Sequence, residues 1–483
     1  MKIVFHDGWP FNHPRLFVQD LRARHVNAAG EVCLWRSGAH FSEWLTLAAF
    51  VARIEEWVRR TNDKFARADN TLDAHLYFER IHTDAFALVD VGTLKLAAGE
   101  SGTISASWLN DKSLLQIASG GSGRLPGRWY HVGDAVVPPH SLADVRKLLN
   151  EQQMSNFERL CAKASRPSVV IVAWETEVGL EPLVLLVRKI AGEVVAAAIE
   201  IAPTDKEVLQ IRCGPDRKVL ATKVVAVFGV GSVGSNVAVR LAEAGVGELV
   251  LVDGERLRPG NVVRHATDAR SVGKHKVRGV ASLLAARAPW TTVREIPLSS
   301  WNPEALGPIL SRADLVLETT GIAGFTSMLS LLCQWNERSM LSAALYRGGS
   351  IARLRRQAEA TDIPICDRTG DASFLTIPAG EEILSFEAGC SAPVNDASPV
   401  SVAQVAALTA NVAIDTLTSR FTYPEEVVEV YRPLDFAPFE RPGPVGMVTR
   451  SGCIAPLGSQ RRLARVLRSL LAGLIRGRRA ESS

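Results

Sequence analysis

The feature that most constrains the fold of this chain is the glycine-rich segment GVGSVG at residues 229–234. It follows the apolar run VVAVF and precedes NVAVRLAEAGV, in which apolar residues recur at helical spacing. A buried strand that passes through a glycine turn into a helix is the first unit of an open, parallel α/β sheet. Because the N–H groups and the dipole at the start of such a helix attract anions, the segment predicts a phosphate-binding turn.

The chain, at 483 residues, is long enough for several domains. Residues 206–440 alternate strand-like and helix-like patterns and predict an α/β domain with a Rossmann-like, mostly parallel sheet. Residues 1–63 predict a truncated α+β domain with an amphipathic helix near residues 43–60. Residues 64–205 predict an α+β middle domain with the strand-like segments HLYFERI, AFALVDV, TISASWL, SVVIVAWE, LVLLVRKI and VVAAAIEI and the loop-rich segment GGSGRLPG. Residues 441–483 predict a loop followed by a basic tail helix.

The distribution of charge argues against a nucleic-acid-binding surface. The formal net charge is +4, and the last 25 residues hold seven arginines and one glutamate, so the remaining chain carries about −2. We expect the tail helix to dock on its own protein, and contact with an anionic membrane or partner is the less favoured alternative. The sequence shows no apolar stretch approaching 20 residues and no signal peptide, which predicts a cytoplasmic protein.

The seven cysteines predict neither a disulfide framework nor a structural zinc site, because they are scattered and form no CxxC pair. A free cysteine is by default a small buried residue. A chemical role therefore needs support from the surrounding sequence, and two thiols, Cys33 and Cys390, have such support.

Polar residues downstream of the glycine turn narrow the choice of nucleotide. Asp253 ends the apolar run ELVLVD, at the distance from the glycines where a dinucleotide-binding domain places its ribose-binding acid. On the turn and this acid alone, a dehydrogenase is an open alternative. The cluster that follows, with Asn261, Arg264 and Lys276, has no use in hydride transfer, whereas a triphosphate attacked at its α-phosphorus needs cations and donors along its length.

This order of motifs resembles the ThiF/HesA/ubiquitin-activating family, whose pattern is GxGxxG, an aspartate, NxxR and GxxK. The resemblance implies adenylation, in which a carboxylate attacks the α-phosphate of ATP with Mg²⁺ as cofactor and gives an acyl-adenylate and pyrophosphate. Positioning and charge neutralisation, with Arg264 and Lys276 foremost, would supply most of the catalysis. The residues implied for the turn, the ribose and the phosphates are Gly229, Gly231, Gly234, Asp253, Asn261, Arg264 and Lys276.

The magnesium ligand is the point at which this chain departs from the family. After the strand DLVLETTG, the family often has an aspartate where this chain has Gly321. Glu318, three residues earlier, is a weak candidate for the metal ligand and is equally well read as a plain carboxylate at the end of a strand. The metal ligand is therefore left unassigned.

Cys390 lies a short loop before a predicted helix that starts near Pro399, with Ser398 as its N-cap. A helix N-terminus favours the thiolate, which is the form that attacks an acyl-adenylate. The resemblance supports this role, because activating enzymes that form a thioester carry a cysteine in this crossover region. A buried small residue in a loop is the alternative on the chemistry alone.

The N-terminal segment resembles the core of a ubiquitin-conjugating enzyme, in which an aromatic-Pro-Phe segment precedes an HPN tripeptide, a glycine turn, CL and a Trp-led helix. His25, Asn27 and Cys33 take the corresponding places, with Val26 where the family has proline. The resemblance implies that Cys33 accepts the acyl group and that Asn27 stabilises the oxyanion when a lysine amine attacks. The segment begins inside the family's fold, so we expect it either to pack on the middle domain or to have lost residues to a wrong start site.

Both halves together resemble the bacterial fused conjugating and activating enzymes of antiphage operons, including those of CBASS systems. The resemblance implies that a protein C-terminus, from a ubiquitin-like protein or a nucleotide synthase, is adenylated, captured on Cys390, passed to Cys33 and delivered to an amine. It also implies a homodimer. One alternative is a sulfur-carrier or tRNA-modifying adenylyltransferase, and another is a non-catalytic scaffold with a degenerate adenylation fold, for which Gly321 is the best argument.

Overall fold

A computed structural model of the chain divides into two compact units, residues 1–211 and 212–483. The structure describes part of each unit. The described residues are 1–23, 25–35, 39–63, 72–93, 97–120, 123–135, 137–162, 166–176, 179–298, 303–368 and 397–445.

The first unit begins with a small antiparallel sheet followed by a helix. Strands β1 (Lys2–Val4), β2 (Arg15–Phe17) and β3 (Glu31–Val32) pair in that order, and helix α1 (Leu47–Asp63) follows. The helix confirms the predicted amphipathic segment. Its apolar side joins a core of buried side chains from the strands and the loops between them. These are Leu16, Val26, Val32, Leu34, Trp35, Trp44, Phe50 and Trp57.

The rest of the first unit is a closed barrel. Its strands are hydrogen-bonded in the order β10-β4-β6-β5-β7-β8-β9, and β9 also pairs with β10. They are β4 (Ile81–Val89), β5 (Ser101–Leu109), β6 (Leu114–Ser119), β7 (Leu125–Asp134), β8 (Ser168–Thr176), β9 (Gly179–Ile190) and β10 (Glu193–Pro203). The helices of this part are α2 (Leu142–Leu148), α3 (Glu151–Ala162) and α4 (Lys206–Leu209).

Strand β8 explains how the barrel is packed. Val169, Ile171 and Ala173 belong to a core whose buried members all come from strands, whereas the alternate residues Val170 and Val172 pack with side chains of α2 and α3. Because successive side chains point to opposite faces of a strand, β8 is buried on both faces. The helices therefore cover one side of the barrel wall.

Sequence patterns found only some of these barrel elements. The strand-like segments AFALVDV, TISASWL, SVVIVAWE, LVLLVRKI and VVAAAIEI correspond to β4, β5, β8, β9 and β10. HLYFERI was expected to be a strand, but it begins as a short 3-10 helix, Ala74–Tyr77. GGSGRLPG was expected to be a loop, but its last residues enter β7.

The second unit is built on one eight-stranded sheet in the order β13-β12-β11-β14-β15-β16-β17-β18. The first five strands in this order are parallel, and the last three join them in antiparallel pairs. The predicted mostly parallel α/β sheet is thus confirmed. The strands are β11 (Val224–Phe228), β12 (Glu248–Val252), β13 (Thr292–Ile296), β14 (Leu315–Glu318), β15 (Ser339–Tyr346), β16 (Ile351–Gln357), β17 (Glu426–Val430) and β18 (Gly443–Pro444).

Helices cover both faces of this sheet. On β11, Val225 and Val227 pack with α6, α7 and α10, whereas Ala226 and Phe228 pack with α8 and α9. The helices are α5 (Arg217–Leu220), α6 (Ser232–Glu243), α7 (Lys276–Arg287), α8 (Pro303–Leu310), α9 (Ala323–Trp335) and α10 (Pro399–Leu417).

Short 3-10 helices occur in both units, at Phe41–Glu43, Ala74–Tyr77, Val91–Thr93, Asn110–Lys112, Gln210–Cys213, Pro259–Asn261, Ala269–Ser271 and Ile365–Asp367.

Helix α10 confirms one prediction and qualifies another. The Ser398 side chain caps it by accepting a hydrogen bond from the Ser401 N–H at 3.1 Å, as predicted. In contrast to the expectation from sequence, α10 is long and apolar enough to cross a membrane by length and composition. Because 61% of its apolar window is buried within the protein, the helix has the character of a core helix.

Candidate functional site

The glycine turn between β11 and α6 depends on close backbone approach at two of its three glycines. Gly229 has a φ of +85°, and a Cβ there would lie 2.9 Å from the Thr320 nitrogen. A Cβ on Gly234 would lie 1.9 Å from the Gly229 carbonyl oxygen. Gly231 differs, because a Cβ there would meet no atom within 4 Å. The turn therefore packs tightly at Gly229 and Gly234 and opens at Gly231, the N-cap of α6.

Asp253 fixes the shape of this turn from the end of β12. One carboxylate oxygen accepts a hydrogen bond from the Val230 N–H at 2.7 Å, and the other accepts one from the Glu255 N–H at 2.8 Å. The side chain is buried, and it does not line the adjacent pocket. Its observed role is to join the glycine turn to the loop after β12, and its predicted contact with a ribose stays a prediction.

A pocket of about 240 Å³ opens beside the N-terminus of α6. Four of the residues predicted from the sequence motifs line it, namely Gly231, Asn261, Arg264 and Lys276. The N–H groups of the first turn of α6 have no partner inside the helix, and they make this end of the pocket attractive to an anion. The remaining lining residues are Ser232, Val233, His265, Thr319, Thr320, Gly321, Ala343, Ala344, Leu345 and Ala397.

The two cationic side chains of the pocket are held from different elements. Lys276 is the first residue of α7, its side chain is buried, and its Nζ donates to the carboxylate of Glu255. The Glu255 side chain is 75% exposed, so it is free to move into solvent if a phosphate takes its place. Arg264 reaches the other wall, where its guanidinium donates to the Ala397 carbonyl at 3.5 Å.

His265 is a pocket residue that the sequence motifs did not indicate. Its Nε2 lies 2.9 Å from the Val230 carbonyl, which can only accept, so Nε2 carries the proton. Its Nδ1 then accepts from the Thr267 N–H at 3.2 Å and from the Thr267 hydroxyl at 2.8 Å. Burial, together with the nearby charge of Lys276, lowers the pKa of His265 to about 4, although the Val230 carbonyl opposes this shift. The imidazole is therefore neutral and supports the glycine turn.

Glu318 stands behind the pocket rather than in its wall. The side chain is buried, and four groups donate to its carboxylate: the Thr320 N–H at 2.8 Å, the Thr320 hydroxyl at 2.5 Å, and the Thr326 and Ser342 hydroxyls at 2.9 Å each. These donors occupy both oxygens. The arrangement favours the structural reading of Glu318, as an anchor for the loop of Thr319, Thr320 and Gly321.

The described residues do not fit a magnesium ion held by the protein. The pocket wall contains no carboxylate among them, and no group of three or more His, Cys, Asp or Glu side chains in the described ranges is arranged to hold a metal. Gly321, where the family often has aspartate, lies in the wall with a φ of +70°. The metal ligand stays unassigned.

Cys33, predicted as the acyl acceptor, is exposed just after β3. Its N–H donates to the His25 carbonyl at 2.7 Å, and its thiol donates to the Trp35 carbonyl at 3.6 Å. Partial burial raises the pKa of the thiol, and the neighbouring Glu31 carboxylate raises it further. The thiol is accessible in this structure, but its surroundings favour the protonated form.

Asn27, predicted to stabilise an oxyanion, belongs to the same hairpin as Cys33. Its side-chain oxygen accepts from the Ala29 and Glu31 N–H groups at 3.0 Å each, and its amide nitrogen donates to the Glu31 carboxylate at 3.3 Å. These hydrogen bonds close the turn that leads from β2 into β3, just before Cys33. The hairpin thus holds the two predicted residues together, while the oxyanion role of Asn27 stays a prediction.

Two predictions fall on parts of the chain outside the described residues. Cys390 lies between residues 368 and 397, and most of the basic tail lies beyond residue 445. Their predicted roles therefore stay predictions.

Comparison with known proteins finds relatives that are similar to part of this chain. The uncharacterized protein y4qC of Sinorhizobium fredii is 27% identical over 222 residues, which are 41% of this chain and 38% of that protein. The ATP-dependent ubiquitin transferase-like protein Cap2 of Pseudomonas aeruginosa is 31% identical over 127 residues, 26% of this chain and 22% of Cap2. The chain thus spans well under half the length of these relatives.

Among solved structures, a crystal structure of E. coli MccB with selenomethionine-labelled MccA is 18% identical to this chain. The similarity covers 51% of this chain and 68% of that one, with a TM-score of 0.39.

A family model gives the most direct assignment. It matches residues 206–437, which include the glycine turn, Asp253, the NxxR and GxxK motifs and the pocket they line. The matching model is that of the ThiF family.

Proposed function

We propose that this chain uses ATP to adenylate the C-terminal carboxylate of a protein or peptide. The observation that carries the proposal is the pocket itself. Gly231, the pair Asn261 and Arg264, and Lys276 come from three separate segments, and the fold brings all four residues to one cavity at the N-terminus of α6. A polyanion bound there would meet two cations and the positive end of a helix dipole.

The chemistry requires one bond to form and one to break. A carboxylate oxygen attacks the α-phosphorus of ATP, the bond to the bridging oxygen of the β-phosphate breaks, and the products are an acyl-adenylate and pyrophosphate. The charge on the phosphates shifts during this step toward the leaving group. Arg264 and Lys276 stabilise that charge. The neutral imidazole of His265 and the carboxylate of Asp253 hold the glycine turn in place.

We further propose that the acyl group moves to Cys390, then to Cys33, and finally to an amine, in a homodimer that serves antiphage defence. The exposure of Cys33 and its position in one hairpin with Asn27 support the second step. The name of the relative Cap2, an ATP-dependent ubiquitin transferase-like protein, is consistent with such a transfer. If Cys33→Ala and Cys390→Ala each leave conjugation intact, this relay is wrong.

The adenylation step is tested by ATP–pyrophosphate exchange on the full chain with candidate C-terminal peptides. Lys276→Ala removes a buried pocket cation, so we expect exchange to fall by about 10²-fold. Lys274→Ala is the matched control, because Lys274 is exposed two residues away and does not line the pocket.

The two variants separate the proposal from its alternatives. Equal loss in both variants would contradict a specific role for the pocket. ATP binding by the wild-type chain without exchange for any peptide would favour the non-catalytic scaffold.

A further inference from the structure

The charge of the pocket wall is one-sided. Arg264 and Lys276 contribute two positive charges, and the described residues of the wall contribute no carboxylate. The neutral polar side chains of the described wall are those of Ser232, Asn261, His265, Thr319 and Thr320. Such a wall attracts phosphate oxygens directly and offers a hard cation only neutral ligands.

Three carboxylates lie near the pocket in the part of the chain that the structure describes, and each is engaged elsewhere. Asp253 accepts two backbone N–H groups, and Glu318 accepts four donors, as described above. Glu255 pairs with Lys276 and points toward solvent. Recruiting Asp253 or Glu318 to a metal would leave buried N–H or hydroxyl groups without acceptors, which is unfavourable by about 1–3 kcal/mol for each group.

We infer that this chain binds ATP through Arg264, Lys276 and the N-terminus of α6, and that nucleotide binding does not require a divalent cation. The inference rests on the proposed function, because it takes ATP as the ligand. Its physical basis is a balance of charge. Mg²⁺ bound to ATP neutralises two negative charges and so weakens their attraction to the two side-chain cations, while the described wall gives the metal no anionic ligand in return.

Gly321 allows a direct test of this balance. It lines the pocket, and a Cβ built on it would meet no atom within 4 Å. Its φ of +70° strains most side chains, but aspartate and asparagine tolerate this region better than other residues do. Gly321→Asp adds a carboxylate to the wall, and Gly321→Asn adds a side chain of the same shape without the charge.

The experiment measures the dissociation constant of ATP for the full chain by isothermal titration calorimetry, in excess EDTA and in excess Mg²⁺. We expect the wild-type chain to bind ATP at least as tightly in EDTA as in Mg²⁺. Gly321→Asp should reverse the order, with binding about tenfold or more weaker in EDTA than in Mg²⁺, because its carboxylate repels the bare triphosphate. Gly321→Asn should keep the wild-type ratio whatever its absolute affinity.

The outcomes separate this inference from the proposed function. Wild-type binding that is weaker in EDTA than in Mg²⁺ would overturn the inference and leave the proposed function standing. A reversed ratio in Gly321→Asn would also overturn it, because the effect would then not depend on charge. Absence of ATP binding under both conditions would contradict the proposed function and the inference together.

Discussion

His265 shows how a single buried group ties stability to pH. The pKa of its imidazole is lowered to about 4 from 6.5, so below pH 6.5 the unfolded chain takes up a proton that the folded chain refuses. Its contribution to stability is therefore complete above pH 6.5 and decreases as the pH falls toward 4. The full shift corresponds to about 3 kcal/mol.

We expect His265→Asn to flatten the pH dependence of the second unit's stability between pH 6.5 and 4.5. The measurement is urea-induced unfolding at several pH values, and the slope against pH is the readout, since the substitution also removes hydrogen bonds. His6→Asn, at an exposed histidine of the first unit, is the control. An unchanged slope in His265→Asn would show that this imidazole does not titrate in the manner described.

The thiol of Cys33 is held in its protonated form by burial and by the adjacent Glu31 carboxylate. We expect Glu31→Gln to lower the pKa of Cys33 and to speed its alkylation by iodoacetamide near pH 8 by about two- to fivefold. Mass spectrometry of the Cys33 peptide gives the rate. Glu43→Gln, at an exposed glutamate of the same segment, should have no such effect, and equal rates in all three proteins would contradict the assignment.

At the scale of elements, two glycines at the junction of β11 and α6 have different roles: Gly234 is needed for packing, and Gly231 faces the pocket. A methyl group at Gly234 would collide with the Gly229 carbonyl, whereas one at Gly231 would enter open space at the pocket. We expect Gly234→Ala to destabilise the second unit by about 1–3 kcal/mol. Gly231→Ala should keep the wild-type Tm and weaken ATP binding.

The comparison is made by thermal unfolding and by calorimetric titration with ATP on the same preparations. If both variants lose stability equally, the two glycines share one packing role. If Gly231→Ala binds ATP as the wild type does, the open position beside α6 is not in contact with the nucleotide.

The β11–α6 unit was predictable because all its signals are local. The apolar run, the glycines and the helical period lie within one short stretch, and each agrees with the others. Strand β7 was missed because Pro126 and Gly127 are typical of turns. In the barrel, Gly127 instead permits close approach to β8, since a Cβ there would lie 2.6 Å from the Val169 carbonyl oxygen. That requirement arises from a strand about 40 residues away and leaves no local pattern.

At the scale of the whole molecule, the sequence motifs predicted which residues line the pocket but not which hydrogen bonds hold them in place. Asn261, Arg264 and Lys276 were predicted together, and the fold places all three in one pocket. His265 was not predicted as a pocket residue, because its role depends on a hydrogen bond to the Val230 carbonyl, which only the folded chain brings to the ring. The hydrogen bonds that engage Glu318 are tertiary in the same sense, since they come from β15 and α9 as well as from its own loop.

The N-terminal hairpin is attached to the barrel within the first unit. The Ala28 N–H donates to the Leu76 carbonyl at 3.0 Å, and Arg22 pairs with Asp144 at 2.8 Å. The hairpin that carries Cys33 is therefore held by these contacts as well as by the small hydrophobic core of the N-terminal sheet. This agrees with the expectation that so short a sheet needs further packing to be stable.

In the barrel, every strand already has a hydrogen-bonded neighbour on each side. Because the ring of strands is closed, none of the seven is an edge strand at which a peptide could add as a further strand of the sheet. Recognition in this region must then use side chains on the outer wall or the connecting loops. The seven barrel strands therefore offer no open sheet edge for the backbone pairing that drives uncontrolled polymerisation.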